Sequence, residues 1–320
     1  MTRIPLLLGL LFVLVACGGD DEPAPSPDEL IAFSSNRGGD FDIYVMRPNG
    51  SGVRLVTRDE PQGRVEADDY EPAWSRDGRR IAFTSTRDHP GDGVTSNEIY
   101  IVGVDGGGLR RLTSNELSEF SPTWTSDGRI AFWRCRQAAF ACALVAISPD
   151  GADEEVVYRA RGSVFGADLA RQSDTLLFAV HDPRTTRPPS LYTVPLDGGE
   201  AREIAADAAD AAWSPDADRI VFTSDRDRNG RCLFHDCTGW KPELYVANAD
   251  GGGGRRLTET DLQEVFPDWS PNGERVVFAR IRDDDDDYEL FVIAAGGGEP
   301  RRLTDNEAFD WMPDWFGTPP

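Results

Sequence analysis

Residues Pro72–Ser85 read PAWSRDGRRIAFTS, Asn97–Gly108 read NEIYIVGVDGGG and Leu109–Thr113 read LRRLT. Two apolar runs of strand length, rich in Ile, Val, Phe and Tyr, are each bounded by an Asp-Gly pair. That dipeptide between apolar runs is the turn signal of antiparallel hairpins. The unit recurs from Pro122 (PTWTSDGRIAFW), Ala211 (AAWSPDADRIVFTS) and Pro267 (PDWSPNGERVVFAR), with a degenerate copy from Ala167 (ADLARQSDTLLFAV). Its tryptophans, Trp74, Trp124, Trp213, Trp269 and Trp315 with Leu169 standing in once, are 44 to 56 residues apart. A repeat of that period, four short strands to the unit and no sustained helical period, predicts a β-propeller.

The two ends of the repeat region complete each other. It opens mid-unit at Ile31-Ala32-Phe33-Ser34, without a Trp strand, and finishes at Met312–Phe316, a Trp strand without continuation. Joined, they make one more blade. The expectation is an all-β fold: a single six-bladed propeller of four-stranded antiparallel blades over residues 30–316. The C-terminal strand pairs with the N-terminal blade, removing open edges, and residues 317–320 form a short tail.

The units resemble the TolB-type, WD-like propeller repeat over about nine tenths of the chain. Proteins of the TolB type carry an α/β domain ahead of the propeller; here only a tether precedes Ile31, so the expectation is the propeller without that domain. The resemblance implies an extracytoplasmic binding scaffold and names no ligand, since propellers host many unrelated activities.

Ahead of the repeats, Arg3 precedes an apolar run from Ile4 to Ala16, shorter than the ~20 residues a membrane-spanning helix needs. It reads as a signal-peptide core. Leu14-Val15-Ala16-Cys17 resembles the bacterial lipobox, which makes residues 1–16 a leader and Cys17 the lipidated residue. An ordinary leader that happens to hold a cysteine is the plainer alternative. Residues 17–29 then form a polar, acidic, Pro-rich tether. Gly18 after the cysteine is not the Asp associated with inner-membrane retention.

Charge narrows the partners. With 33 Lys+Arg against 56 Asp+Glu the net charge is -23, so there is no basic stripe for nucleic acid. Anionic membranes are disfavoured too, leaving the lipid anchor as the only membrane contact; cations, basic or polar protein surfaces and glycans fit. Lys241 is the only lysine. In an oxidising compartment the four remaining cysteines read as local disulfides, Cys135–Cys142 and Cys232–Cys237.

Strand direction alternates within a blade, so the Trp-Ser-x-Asp-Gly and Asp-Gly turns share one face, the turn face. The loops after each second strand and the blade connections share the other, which takes the length variation at 87–97, 134–141, 226–242 and 282–287. Variable loops on a rigid scaffold are where binding sits. Four positions before the Trp column stand Tyr70, Phe120, Phe165, Ala209, Val265 and Trp311; five before it stand Asp69, Glu119, Val164, Ala208, Glu264 and Asp310. These columns enter the innermost strands. The carboxylates are therefore placed to ring the channel mouth and the aromatics to offer stacking surface, unless the aromatics pack between blades and the acids are solvated loop charges. Such a mouth suits a basic or glycan-like ligand, or a metal.

Asp225-x-Asp227-x-Asn229-Gly230, followed by Asp236, has the spacing of a calcium loop, although strands flank it and Ser-x-Arg-Asp is ordinary in TolB-type repeats. The run Asp283–Asp287 reads as a solvated loop tip. His89, His181 and His235 lie in different blades at no metal-ligand spacing, and no Gly-x-Ser-x-Gly elbow or phosphate-binding loop occurs. The combined expectation is a lipid-anchored envelope protein, monomeric as a propeller, requiring no cofactor and presenting its variable face to a protein or glycan. Calcium is the candidate ion. The competing reading is a polysaccharide lyase or hydrolase working through channel carboxylates such as Asp69 with Asp310, with calcium assisting.

Overall fold

The computed structural model describes residues 29–57, 67–87, 97–136, 141–170, 172–227, 241–281 and 287–317. Among them, six four-stranded antiparallel sheets and no helix are present, as the repeat predicts. Blade 1 combines β24 (Asp310–Phe316) with β1 (Leu30–Ser35), β2 (Asp42–Met46) and β3 (Arg54–Leu55). Blades 2 to 6 follow in chain order from their innermost strands: β4 (Asp69–Trp74), β8 (Ser118–Trp124), β12 (Ser163–Leu169), β16 (Ala209–Trp213) and β20 (Glu264–Trp269). The ring closes where Leu30 pairs with Phe316 and Ser35 with Asp310.

The second strand of each blade is apolar without alternation because both of its faces meet a neighbouring blade. Ile31–Phe33, Ile81–Phe83, Ile130–Phe132, Leu176–Phe178, Ile220–Phe222 and Val276–Phe278 are all at most 2% exposed. The buried residues form six clusters, each drawing on two neighbouring blades.

Tryptophan supplies a directed contact at several junctions. The indole Nε1 of Trp74 donates to Asp314 O at 3.1 Å, that of Trp124 to Ala73 O at 3.1 Å and that of Trp269 to Ala212 O at 3.3 Å, each a carbonyl of the preceding blade. At the rim, Arg54 reaches Val104 O at 2.6 Å and Arg301 reaches Pro48 O at 3.3 Å, again across a junction. Within blades, the Glu that opens the third strand and the Thr of Arg-Arg-Leu-Thr form a buried clasp. Thr113 Oγ1 accepts from Ile99 N at 2.9 Å and donates to Glu98 at 2.7 Å, while Arg111 donates to the same carboxylate at 2.8 Å. Thr258, Glu243 and Arg256 repeat it in blade 5.

Cys135 and Cys142 are bonded across directly paired positions of β9 (Ile130–Arg136) and β10 (Ala141–Ile147), as the local spacing suggests. Cys17 with its leader and tether, the Cys232–Cys237 pair, and Asp283–Asp286 lie outside the described residues. The loop that Cys135–Cys142 closes is short, so chain entropy limits its contribution to about 2.5 kcal/mol. Mild reduction should lower the free energy of unfolding by that much or less, read in urea as a lower midpoint with an unchanged denaturant slope. A larger loss would mean that this blade depends on the bond to form at all.

Candidate functional site

All six innermost strands carry the same irregularity. In blade 2 the pairing runs from Tyr70↔Thr84 straight to Ala73↔Ala82, so the inner strand spends one residue more than its partner. This is a β-bulge, and the register shifts at the matching place in every other blade. The residue three before the Trp column is left-handed each time: Glu71 (φ 53), Ser121 (φ 50), Gly166 (φ 64), Asp210 (φ 39), Phe266 (φ 53) and Met312 (φ 51). Five of these six are not glycine. Each then costs roughly 1 kcal/mol or more, which the flanking ladder has to outweigh.

The bulges break the strict in–out alternation and line a central channel of about 490 Å³. Its wall includes five carboxylates, Glu71, Asp168, Asp210, Asp268 and Asp314, against a single basic residue, Arg76. Arg76 is itself 3.5 Å from Asp174. The carboxylates bridge neighbouring blades. Glu71 accepts from Ser121 N at 2.7 Å and Ser121 Oγ at 2.9 Å. One position before the Trp column, Asp168 accepts from Trp213 N at 2.5 Å, Asp268 from Trp315 N at 2.6 Å and Asp314 from Trp74 N at 2.6 Å.

Burial and like charge raise the pKa of two of these groups, Asp268 and Asp210. Burial and the neighbouring charges of Asp314 and Asp168 raise Asp268 well above the ordinary carboxylate range. Asp210 is pushed up to about 6, chiefly by burial and further by Glu71, against the relief of hydrogen bonds from Thr223 and the Phe266 amide. The wall is thus rich in carboxylates, and Asp210 and Asp268 hold their protons more tightly than ordinary ones.

Aromatic side chains gather at the variable-loop end of the channel. Trp311 is the hub, with ring centroids of Phe41 at 5.6 Å, Phe266 at 5.7 Å, Tyr70 at 6.1 Å, Tyr288 at 6.2 Å and Phe309 at 6.3 Å. All six rings are half-buried. Phe120 and Phe165 line the opposite side of the wall.

The expected aromatic column therefore divides. Phe120, Phe165 and Trp311 line the channel, and Tyr70 packs in the cluster beside it. The acidic column needs correction. Asp69, Glu119, Glu264 and Asp310 are fully buried and outside the channel wall. Each meets an arginine from the end of its blade's second strand: Arg87, Arg134, Arg280 and Arg37 respectively. They cannot ring an open mouth, nor can Asp69 with Asp310 serve as an exposed acid–base pair, because a buried carboxylate demands a fixed counter-charge. Where Ala208 replaces the acid, Arg226 instead donates to Ala206 O at 3.1 Å and lies 4.9 Å from the Phe222 centroid.

The carboxylates that do reach the channel stand one and three positions before the Trp column. The signal was present as Asp268-Trp269 and Asp314-Trp315, but strand periodicity alone cannot place both columns correctly across an unsuspected bulge. Asp227, from the calcium-loop spacing, is paired with Arg256 at 2.8 Å, while Asn229 and Asp236 lie outside the described residues. No group of metal-ligating side chains forms among the described residues.

Comparison with known proteins agrees with the architecture. Residues 17–163 match the family model described as the TolB beta propeller domain. The chain is 28% identical over 193 residues to the uncharacterized peptidase YuxL of Bacillus subtilis, a match covering 57% of this chain and 24% of that protein. It is 32% identical over 103 residues to the Tol-Pal system protein TolB of Anaeromyxobacter dehalogenans, covering 32% of this chain and 21% of that one. Both matches thus span about a quarter or less of the relative's length. The crystal structure of TolB from Acinetobacter baumannii superposes with a TM-score of 0.69 at 17% identity, over 90% of this chain and 66% of that one, which establishes the shared fold.

Two outcomes test the assignment of carboxylates to inner and channel sets. Asp210 holds its proton more tightly folded than unfolded, so stability should fall as pH rises from 3.8 to about 6 and stay reduced above. Asp210→Asn, which keeps an acceptor for the Phe266 amide, should flatten that slope and raise stability at pH 8 by roughly 1–3 kcal/mol in urea unfolding. Arg87→Ala should instead cost about 3–5 kcal/mol, because it strands the buried Asp69.

Proposed function

We propose that this TolB-like β-propeller is an extracytoplasmic, lipid-anchored binding protein whose channel receives a basic segment of a protein partner. One observation carries the reading: a channel wall with five carboxylates and one arginine, entered past a half-buried aromatic cluster. A guanidinium or ammonium entering there would take up the excess negative charge around Asp268, while its aliphatic stem or a neighbouring ring packs on Trp311 and Tyr288. The rigid blades hold both surfaces in place before the ligand arrives, which lowers the ordering cost of binding. The leader and Cys17 support an envelope location.

A second reading has its own support. Asp210, pushed up to about 6 by burial in the channel, has its proton affinity moved toward the range of acid–base catalysts, so a propeller hydrolase or lyase is the competing function.

Calorimetric titration of the purified protein separates them, with a penta-arginine peptide and a neutral hexasaccharide as probes. The peptide should bind, weaken steeply with added salt, and lose at least tenfold in affinity in Asp268→Asn/Asp314→Asn and in Trp311→Ala. Asp218→Asn, on the opposite face, should bind as before. Peptide binding indifferent to the channel variants would overturn the proposal. Cleavage of the saccharide that disappears in Asp210→Asn would install the enzyme in its place.

A further inference from the structure

The backbone leaves the propeller at a fixed point on the turn face. Glu29, the residue before β1, is 8% exposed, and its carboxylate lies 3.8 Å from the Arg275 guanidinium, which in turn sits 5.1 Å from the Trp315 ring centroid. Gly317 closes the same seam: a Cβ there would lie 2.8 Å from Glu29 Cγ and 2.6 Å from Pro271 Cγ, in the first turn of blade 6. Beside it the Phe316 ring, tilted by 35°, lies 5.2 Å from that of Trp74 and covers Gly78, in the first turn of blade 2. Leu30 and Phe316 are paired at this end; Ser35 and Asp310 are paired at the other, next to Trp311. The aromatic mouth and the chain exit are therefore at opposite ends of the same strands, about 17 Å apart along β1.

We infer that the protein stands with its turn face toward the membrane that holds its lipid and its aromatic mouth turned away, so that it captures partners approaching from beyond that membrane. This rests on the reading of Cys17 as the lipidated residue. From Cys17 to Glu29 the chain runs 12 residues, a contour of at most roughly 40 Å. Turning the mouth to the membrane would require the chain to pass two strands outward and the full height of a blade, roughly 30 Å of path and about three quarters of that length. The upright arrangement needs no such extension.

Lys241 offers the test, being the only lysine in the chain. It is 35% exposed, lies next to Asp261 and precedes β18 (Glu243–Asn248) at the variable-loop end. An amine-reactive donor is placed on the full-length lipidated protein and, separately, on the D105K/K241R variant, which moves the lysine to the turn face; the terminal amine is common to both. Energy transfer to an acceptor lipid in phosphatidylcholine vesicles should be several-fold stronger for the variant, corresponding to a donor nearer by about 20 Å. Equal transfer, or stronger transfer from Lys241, would overturn the orientation. Flotation of Cys17→Ala with the same vesicles tests the anchor itself: if it floats as well as the parent, the lipid reading is wrong, whichever way the propeller points.

Discussion

No blade of this protein has a hydrophobic core of its own. Each sheet is apolar on both faces, and each of the six buried clusters belongs to a junction between two blades. A single blade taken from the ring would expose two such faces, and a ring missing one closure would expose the pair at the gap. This constraint accounts for the unbroken apolar second strands and for the hybrid first blade. It also explains why directed contacts concentrate between blades. Tryptophan indoles donate backward to the preceding blade, channel carboxylates accept from the next blade's backbone, and rim arginines reach forward to its turns.

A chain with a net charge of -23 must dispose of many carboxylates, and the fold sorts them by depth. Those at the ends of the inner strands are enclosed with arginines. Pairs of this kind are poor net stabilisers, because desolvation consumes much of the attraction. What they supply is register: an arginine at the end of the second strand and an acid at the start of the first meet only when the blade is correctly paired. The carboxylates one and three residues before the tryptophan line the channel wall instead, where Asp168, Asp268 and Asp314 accept backbone N–H groups of the next blade. The same residue type thus meets arginine at one depth and lines the channel wall at another.

The fold was legible because a propeller writes its period directly into the sequence. Five tryptophans and a leucine fixed the blade count, and the unmatched ends at Ile31 and Trp315 foretold closure. The site was legible only in kind. The acidic column was expected to ring the channel mouth, yet Asp69, Glu119, Glu264 and Asp310 are internal, while Glu71, Asp168, Asp210, Asp268 and Asp314 line the channel. Two physical facts hid this. The bulge inserts a residue and reverses the alternation on which the columns were counted, and it carries no shared residue type to announce it. The arginines that neutralise the inner acids lie across a hairpin, so a reading by columns on one strand does not bring them together.

That bulge also separates two properties that most strands bind together. Its left-handed conformation is imposed by the ladder on either side, and it recurs with six different occupants: glutamate, serine, glycine, aspartate, phenylalanine and methionine. Geometry at these positions is inherited from the blade, and chemistry is left to the individual residue. The channel therefore carries six spokes of one geometry and differing chemistry, and some of them, such as Glu71 with Ser121, also bond to the next spoke across a junction. A repeat protein built this way can acquire a new ligand one side chain at a time while its architecture stays constant.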